Sequence, residues 1–122
     1  MAYTEIDDPS KFFQCTLFTG NGGTQTITNG GNSDLQPDWL WLKKRNADVN
    51  HFLFDSVRGV SKEINTNNTE AEASPSNYLA SFDSDGFSIG SDSDINGNND
   101  TLVAWQWKAG TSFTNDASGT SI

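Results

Sequence analysis

Asp38-Trp39-Leu40-Trp41-Leu42-Lys43 alternates Trp with Leu, and in an extended chain that alternation sends Trp39 and Trp41 to one side and Leu40 and Leu42 to the other. A strand that is apolar on both faces belongs in the middle of a sheet. Towards the other end, Leu102-Val103-Ala104-Trp105-Gln106-Trp107 puts Val103, Trp105 and Trp107 on one face and Leu102, Ala104 and Gln106 on the other. Its Trp face is expected in the core, with its Gln face against water or a smaller second layer. All four Trp are therefore read as packing residues. A second reading gives one or two of them to a sugar-stacking platform, because an indole face suits the C–H face of a pyranose ring.

Working outward, Gly, Asn, Asp, Ser and Thr crowd between short aromatic and β-branched runs, an all-β pattern. The predicted strands are Phe12 to Thr19, Thr24 to Thr28, Asp38 to Lys44, His51 to Phe54, Val60 to Ile64, Tyr78 to Phe82, Phe87 to Gly90 and Thr101 to Lys108. Gly20-Asn21-Gly22-Gly23 predicts a tight hairpin between the first two, since Gly and Asn accept positive φ. Thr69-Glu70-Ala71-Glu72 has capping-box spacing with Pro75 beyond it, which predicts one helical turn as a connector. The fold class is an antiparallel β-sandwich over residues 1–110, followed by a Ser/Thr/Gly-rich tail or linker over 111–122.

The chain has 122 residues, 16 acidic and 7 basic, for a net charge of −9. A nucleic-acid partner needs the opposite sign. No basic segment leads into an apolar run at the amino terminus, and no stretch approaches the ~18 apolar residues of a span. Neither a signal peptide nor membrane insertion is expected. The single cysteine, Cys15, rules out an intrachain disulfide framework and is read as a buried small hydrophobe.

Catalytic patterns are missing: GxSxG, HExxH, P-loop and GxGxxG do not occur, and the only imidazole is His51, between Asn50 and Phe52 in a predicted strand. The expectation is a non-enzyme with no required cofactor. Asp92-Ser93-Asp94-Ile95-Asn96-Gly97 matches the opening of a calcium loop, making Asp92, Asp94 and Asn96 candidate Ca²⁺ ligands. Val103 stands where an EF-hand places its bidentate Glu, so turn geometry competes with that reading. Asn96, Asn98 and Asp100 in the same loop are the candidate contacts for a glycan. Asp55 and Arg58 are spaced for a local ion pair. Lys43-Lys44-Arg45, the only basic cluster, could dock on an acidic neighbouring subunit.

Asp7-Asp8-Pro9-Ser10 with Phe12-Phe13, then Phe18-Thr19-Gly20-Asn21-Gly22, Leu35-Gln36-Pro37-Asp38-Trp39-Leu40-Trp41-Leu42-Lys43, Phe54-Asp55-Ser56-Val57-Arg58-Gly59, Ser81-Phe82-Asp83-Ser84-Asp85-Gly86-Phe87 and Val103-Ala104-Trp105-Gln106-Trp107-Lys108-Ala109 occur in that order. Together they resemble a module common in tail-fibre-like and other structural proteins of marine tailed bacteriophages. The resemblance covers most of residues 3–110. It implies a sandwich of the concanavalin A or laminin-G type, a jelly-roll arrangement, in a virion structural protein made in a bacterial cytoplasm. It carries no catalytic residues. The function it implies is a tail-fibre or capsid-decorating module attached through subunit contacts, with carbohydrate binding as the alternative. Partners would be other virion proteins and further copies of the chain, a trimer being the expectation for a fibre. Tyr3, Asp7 and Phe12 in the amino-terminal segment, with Lys43, Lys44 and Arg45, are the candidate partner contacts.

Overall fold

A computed structural model describes residues 7–109, so the expectations for Tyr3 and for the tail at 111–122 lie outside the described residues. The strands are β1 (Phe13–Thr19), β2 (Gln25–Thr28), β3 (Trp39–Lys44), β4 (Phe52–Asp55), β5 (Ile64–Asn65), β6 (Leu79–Asp83), β7 (Gly86–Ile89) and β8 (Thr101–Trp107). They form two antiparallel sheets, a five-stranded one in the order β1-β8-β3-β4-β5 and a three-stranded one in the order β2-β7-β6. The all-β sandwich is as the sequence pattern implies, and β3 is the middle strand of the larger sheet.

Between the sheets lie Leu40 and Leu42 of β3, Phe52 and Phe54 of β4 and Ala104 of β8, facing Ile27, Leu79, Phe87 and Ile89 of the smaller sheet. Burying each of the larger of these side chains is worth about 1.5–3 kcal/mol, which is the main force closing the sandwich. Where β1 and β8 cover β2 the filling turns polar. Gln106, fully buried, exchanges two amide hydrogen bonds with Asn29, at 3.1 and 2.7 Å. The Gln face of β8 therefore meets the smaller second layer.

The Trp face does not enter the core. Even-numbered residues of β3 and β8 fill the interior, so Trp39, Trp41, Trp105 and Trp107 all lie half-buried on the outer side of the large sheet. The interior is lined by leucine, phenylalanine and alanine, and the buried Gln106 is accepted there because Asn29 satisfies it. The same parity exposes Cys15, so the buried reading of that residue is corrected.

Three connections also differ. Gly20–Gly23 is not a hairpin turn, because β1 pairs with β8 and β2 with β7; it carries the chain from one sheet to the other. No helix forms at Thr69–Glu72: Ala73 bridges Glu63 in antiparallel fashion, and Glu72 is drawn to Arg58 and Lys62. Of the strand predicted from Val60 to Ile64, Val60 and Ser61 are turn, Glu63 makes only an isolated bridge to Ala73, and Ile64 alone joins β5. The helices among the described residues are a 3-10 turn at Pro9–Lys11, capped by Asp8, and α1 (Ser93–Asn96), capped by Asp92. At the β6–β7 hairpin Gly86 holds φ +125°, and a Cβ there would run into the carbonyl of Ile27, so only glycine fits.

Candidate functional site

The ladder registers stack the outer side chains of the five-stranded sheet into rows. Phe13, Trp107 and Trp39 form one row, and Cys15, Trp105 and Trp41 the next, continued by Leu53 and Ile64. Leu17, Val103 and Lys43 form a third. Trp39 and Trp107 have ring centroids 4.3 Å apart at 68°, and Trp41 and Trp105 are 4.9 Å apart at 43°. Phe13 extends the group, 4.9 Å from Trp107. The result is a ridged aromatic face without a pocket among the described residues.

Exposure on this face rises towards β1, where Phe13 is 39% and Leu17 60% accessible. Along β1 the usual polarity is inverted. Phe13, Cys15 and Leu17 point outward, while Gln14 turns inward and bonds the Ser10 and Ser33 carbonyls and the Gly31 N–H. Thr16 also bonds inward, to Asn29 at 2.8 Å.

Charges stand at the margin and are tied down. Asp55 accepts from Arg58 Nε at 2.5 Å, and Glu72 lies 3.2 Å from the same guanidinium, the local ion pair that the Asp55–Arg58 spacing implied. Burial alone would raise the Asp55 carboxyl, but the Arg58 and Val57 N–H groups and the Arg58 charge outweigh it and hold it below the usual carboxylate value. Asp38 is likewise lowered: burial is opposed by bonds from Ala109 N, Ser56 and Lys108. His51 sits half-buried near Trp41, with ring centroids 6.5 Å apart, as a rim residue.

The basic cluster does not form one patch. Strand alternation places Lys43 outside, its ammonium folded onto the Ala47 carbonyl at 3.1 Å. Lys44 turns inside, 7% exposed, bonding Ser93 O and Asp100, each at 2.7 Å. Lys44 is therefore not available as a partner contact, whereas Arg45, Asp7 and Phe12 are exposed.

The Asp92–Asp100 loop is built for its own geometry. Asp92 accepts from Asp94 N as helix cap, and Asp94 lies 3.4 Å from the Tyr78 hydroxyl. Asn96 is fully buried: its amide donates to the carbonyls of Gly90 and Gly23 and to Asn21 Oδ1, and its own Oδ1 accepts from Asn21 N. Asp92, Asp94 and Asn96 thus diverge, and among the described residues no group of three or more His, Cys, Asp or Glu side chains is placed to hold a metal ion. Of the glycan candidates, Asn96 is enclosed and Asp100 is engaged by Lys44 and Asn46, while Asn98 remains exposed.

Residues 8–122 match the family described as Domain of unknown function (DUF7483). The chain belongs to that family. No curated protein and no solved structure matches it.

Sequence reasoning picked out the four Trp but placed them on the wrong side of the sheet. β1 reinforces the wrong choice: Phe13, Cys15 and Leu17 share a parity opposite to Gln14 and Thr16, and pairing β1 with β8 carries that apolar parity across to Trp105 and Trp107, although in the fold it is the Gln14 side that turns inward.

Proposed function

We propose that this chain is a structural attachment module of an assembled particle, a virion component of the tail-fibre or capsid-decorating kind that its sequence resembles, and that it docks a protein partner through the outer aromatic face. The observation that carries this reading is the inverted polarity of β1 beside four outward Trp. A sheet face meant for water would carry polar side chains there, and aromatic residues are the ones enriched at the centres of protein interfaces. Rings canted by 43 to 68° give ridges and grooves that suit a contoured protein surface better than a flat sugar chain.

Density-gradient purification of particles from the lysate that produces the chain, with quantitative mass spectrometry, tests the proposal. The expected result is the chain in fixed ratio to the other particle proteins, and loss of incorporation on Trp39→Arg with the circular dichroism spectrum unchanged. A chain left wholly in the soluble fraction overturns it. Saturable binding on a glycan array, abolished by Trp39→Arg, would replace protein docking by carbohydrate recognition.

A further inference from the structure

A β-strand at the rim of a sheet leaves half its backbone polar groups unpaired, and natural proteins blunt such rims with short strands, bulges, prolines or charges. Three of the four rims here are blunted. The rim strand β5 is two residues long, β2 is four residues with outward Thr26 and Thr28, and β6 has a register shift between Leu79 and Ser81 and ends in Asp83. The fourth, β1, is seven residues of Phe-Gln-Cys-Thr-Leu-Phe-Thr, in regular register with β8, and without proline or charge.

Its free hydrogen-bonding groups follow from the ladder. Phe12 O accepts from Lys108 N and Gly20 N donates to Asp100 O, so even-numbered residues face β8. The N–H and C=O of Phe13, Cys15, Leu17 and Thr19 then face the open rim. Thr19 O accepts from Gln25 Nε2 at 3.1 Å, whereas those of Phe13, Cys15 and Leu17 have no hydrogen bond among the described residues. These three residues are also the outward apolar side chains of β1.

We propose that β1 pairs antiparallel with β1 of a second copy about a twofold axis at Cys15, joining two five-stranded sheets into one. A second copy is the occupant the pattern selects. An antiparallel rim centred on Cys15 is self-complementary: Phe13 lies opposite the partner's Leu17, Cys15 opposite the partner's Cys15, and each unbonded N–H meets an unbonded C=O. Charge points the same way. A chain at −9 repels its own copies, and β1 with its neighbour β8 (Thr-Leu-Val-Ala-Trp-Gln-Trp) is a charge-free stripe where two copies meet at least cost. Among the described residues each copy offers one such rim, so the association closes at two instead of growing into a filament, in place of the trimer expected for a fibre. The proposal deepens the attachment reading by doubling the aromatic face that a partner meets.

The test is sedimentation equilibrium of the full chain with Cys15→Ser, Cys15→Lys and Cys15→Glu, all at an exposed position that leaves the core untouched. The wild type and Cys15→Ser are expected at twice the 13.3 kDa chain mass. Cys15→Lys or Cys15→Glu alone places like charges directly opposite and raises the dissociation constant at least about fivefold. An equimolar mixture of the Lys and Glu variants restores the dimer, because only the mixed pair brings opposite charges together at residue 15. A monomeric wild type overturns the proposal, as does a dimer indifferent to both charges or a charge-sensitive dimer that the mixture fails to restore. A monomer that still enters particles leaves the attachment reading standing, whereas a Cys15-centred dimer that never enters particles removes that reading and keeps this one.

Discussion

Replacing Asn96 by Ala separates a residue that builds the loop from one that meets a ligand. Its side chain holds Gly90 O at 2.8 Å, Asn21 Oδ1 at 3.1 Å and the Gly23 carbonyl, and accepts Asn21 N at 3.0 Å. The two amide hydrogens are shared among three acceptors, so two donated bonds and one accepted bond count; at about 1 kcal/mol net per bond their loss costs about 3 kcal/mol, and the buried Gly90 carbonyl left without a partner adds about 1 kcal/mol or more. Set against the ~5–15 kcal/mol that holds a domain folded, this is a large fraction. For a domain of this size it corresponds to a fall in Tm of roughly 10–20 °C. Calorimetry or thermal circular dichroism reads the shift, with Asn98→Ala as the control, since Asn98 is exposed and its loss should stay within about 0.5 kcal/mol. An Asn96→Ala protein that melts within about 2 °C of the wild type would refute the reasoning and return Asn96 to the ligand-contact candidates.

Glu63 is buried and its carboxyl is raised above the ordinary 4.5, first by burial and then by the charges of Glu70, Asp92 and Asp94, although a bond from Asn65 opposes them. A raised folded-state value gives stability that is present at acid pH and lost as pH climbs through it, so Glu63→Gln should melt higher at about pH 7 and match the wild type near about pH 3 in paired melting curves. Asn29→Ala strands the Gln106 amide oxygen and leaves its Nε2 only the 3.3 Å bond to Thr16 Oγ1, which should cost about 2–4 kcal/mol in urea unfolding, while adding Gln106→Leu should recover part of that loss because no unpartnered amide oxygen remains. Gly86→Ala should lose about 1–3 kcal/mol in the same assay, from the strained φ at that hairpin, with the approach of Ile27 O adding to it.

The alternation in Trp39–Leu42 and Leu102–Trp107 was enough to assign two strands and place β3 centrally. It was not enough to say which side faces in, because both sides of Trp39–Leu42 are apolar and in Leu102–Trp107 the polar Gln106 marks the Leu and Ala side as the outer one. What decides it is the partner sheet: Phe87 and Ile89 pack against Leu and Ala, and Gln106 is tolerated only because Asn29, distant in sequence, satisfies it. The Asp92 loop misled for a related reason. Asp, Asn and Gly at those spacings serve helix capping and a buried amide staple as well as they serve a cation, and the choice depends on the Gly20–Gly23 segment folding onto Asn96.

β8 lies between β1 and β3, so the last of the described strands to be synthesised is the one that must be inserted between two made long before it. Until residue 107 is available, β1 has no neighbour in its sheet, and its outward Phe13 and Leu17 stand beside an edge open on both sides. The β3–β4 pair can assemble from local contacts, but closing the sheet waits for the pairing of Phe13 with Trp107 across nearly the whole chain. Folding of this kind is slow relative to helical domains of the same length, because the loop-closure entropy is met before the long-range contacts repay it. A chain halted before Thr101 should therefore be held as a sticky, incomplete sheet, and emergence of Thr101–Trp107 should act as the trigger for the whole domain.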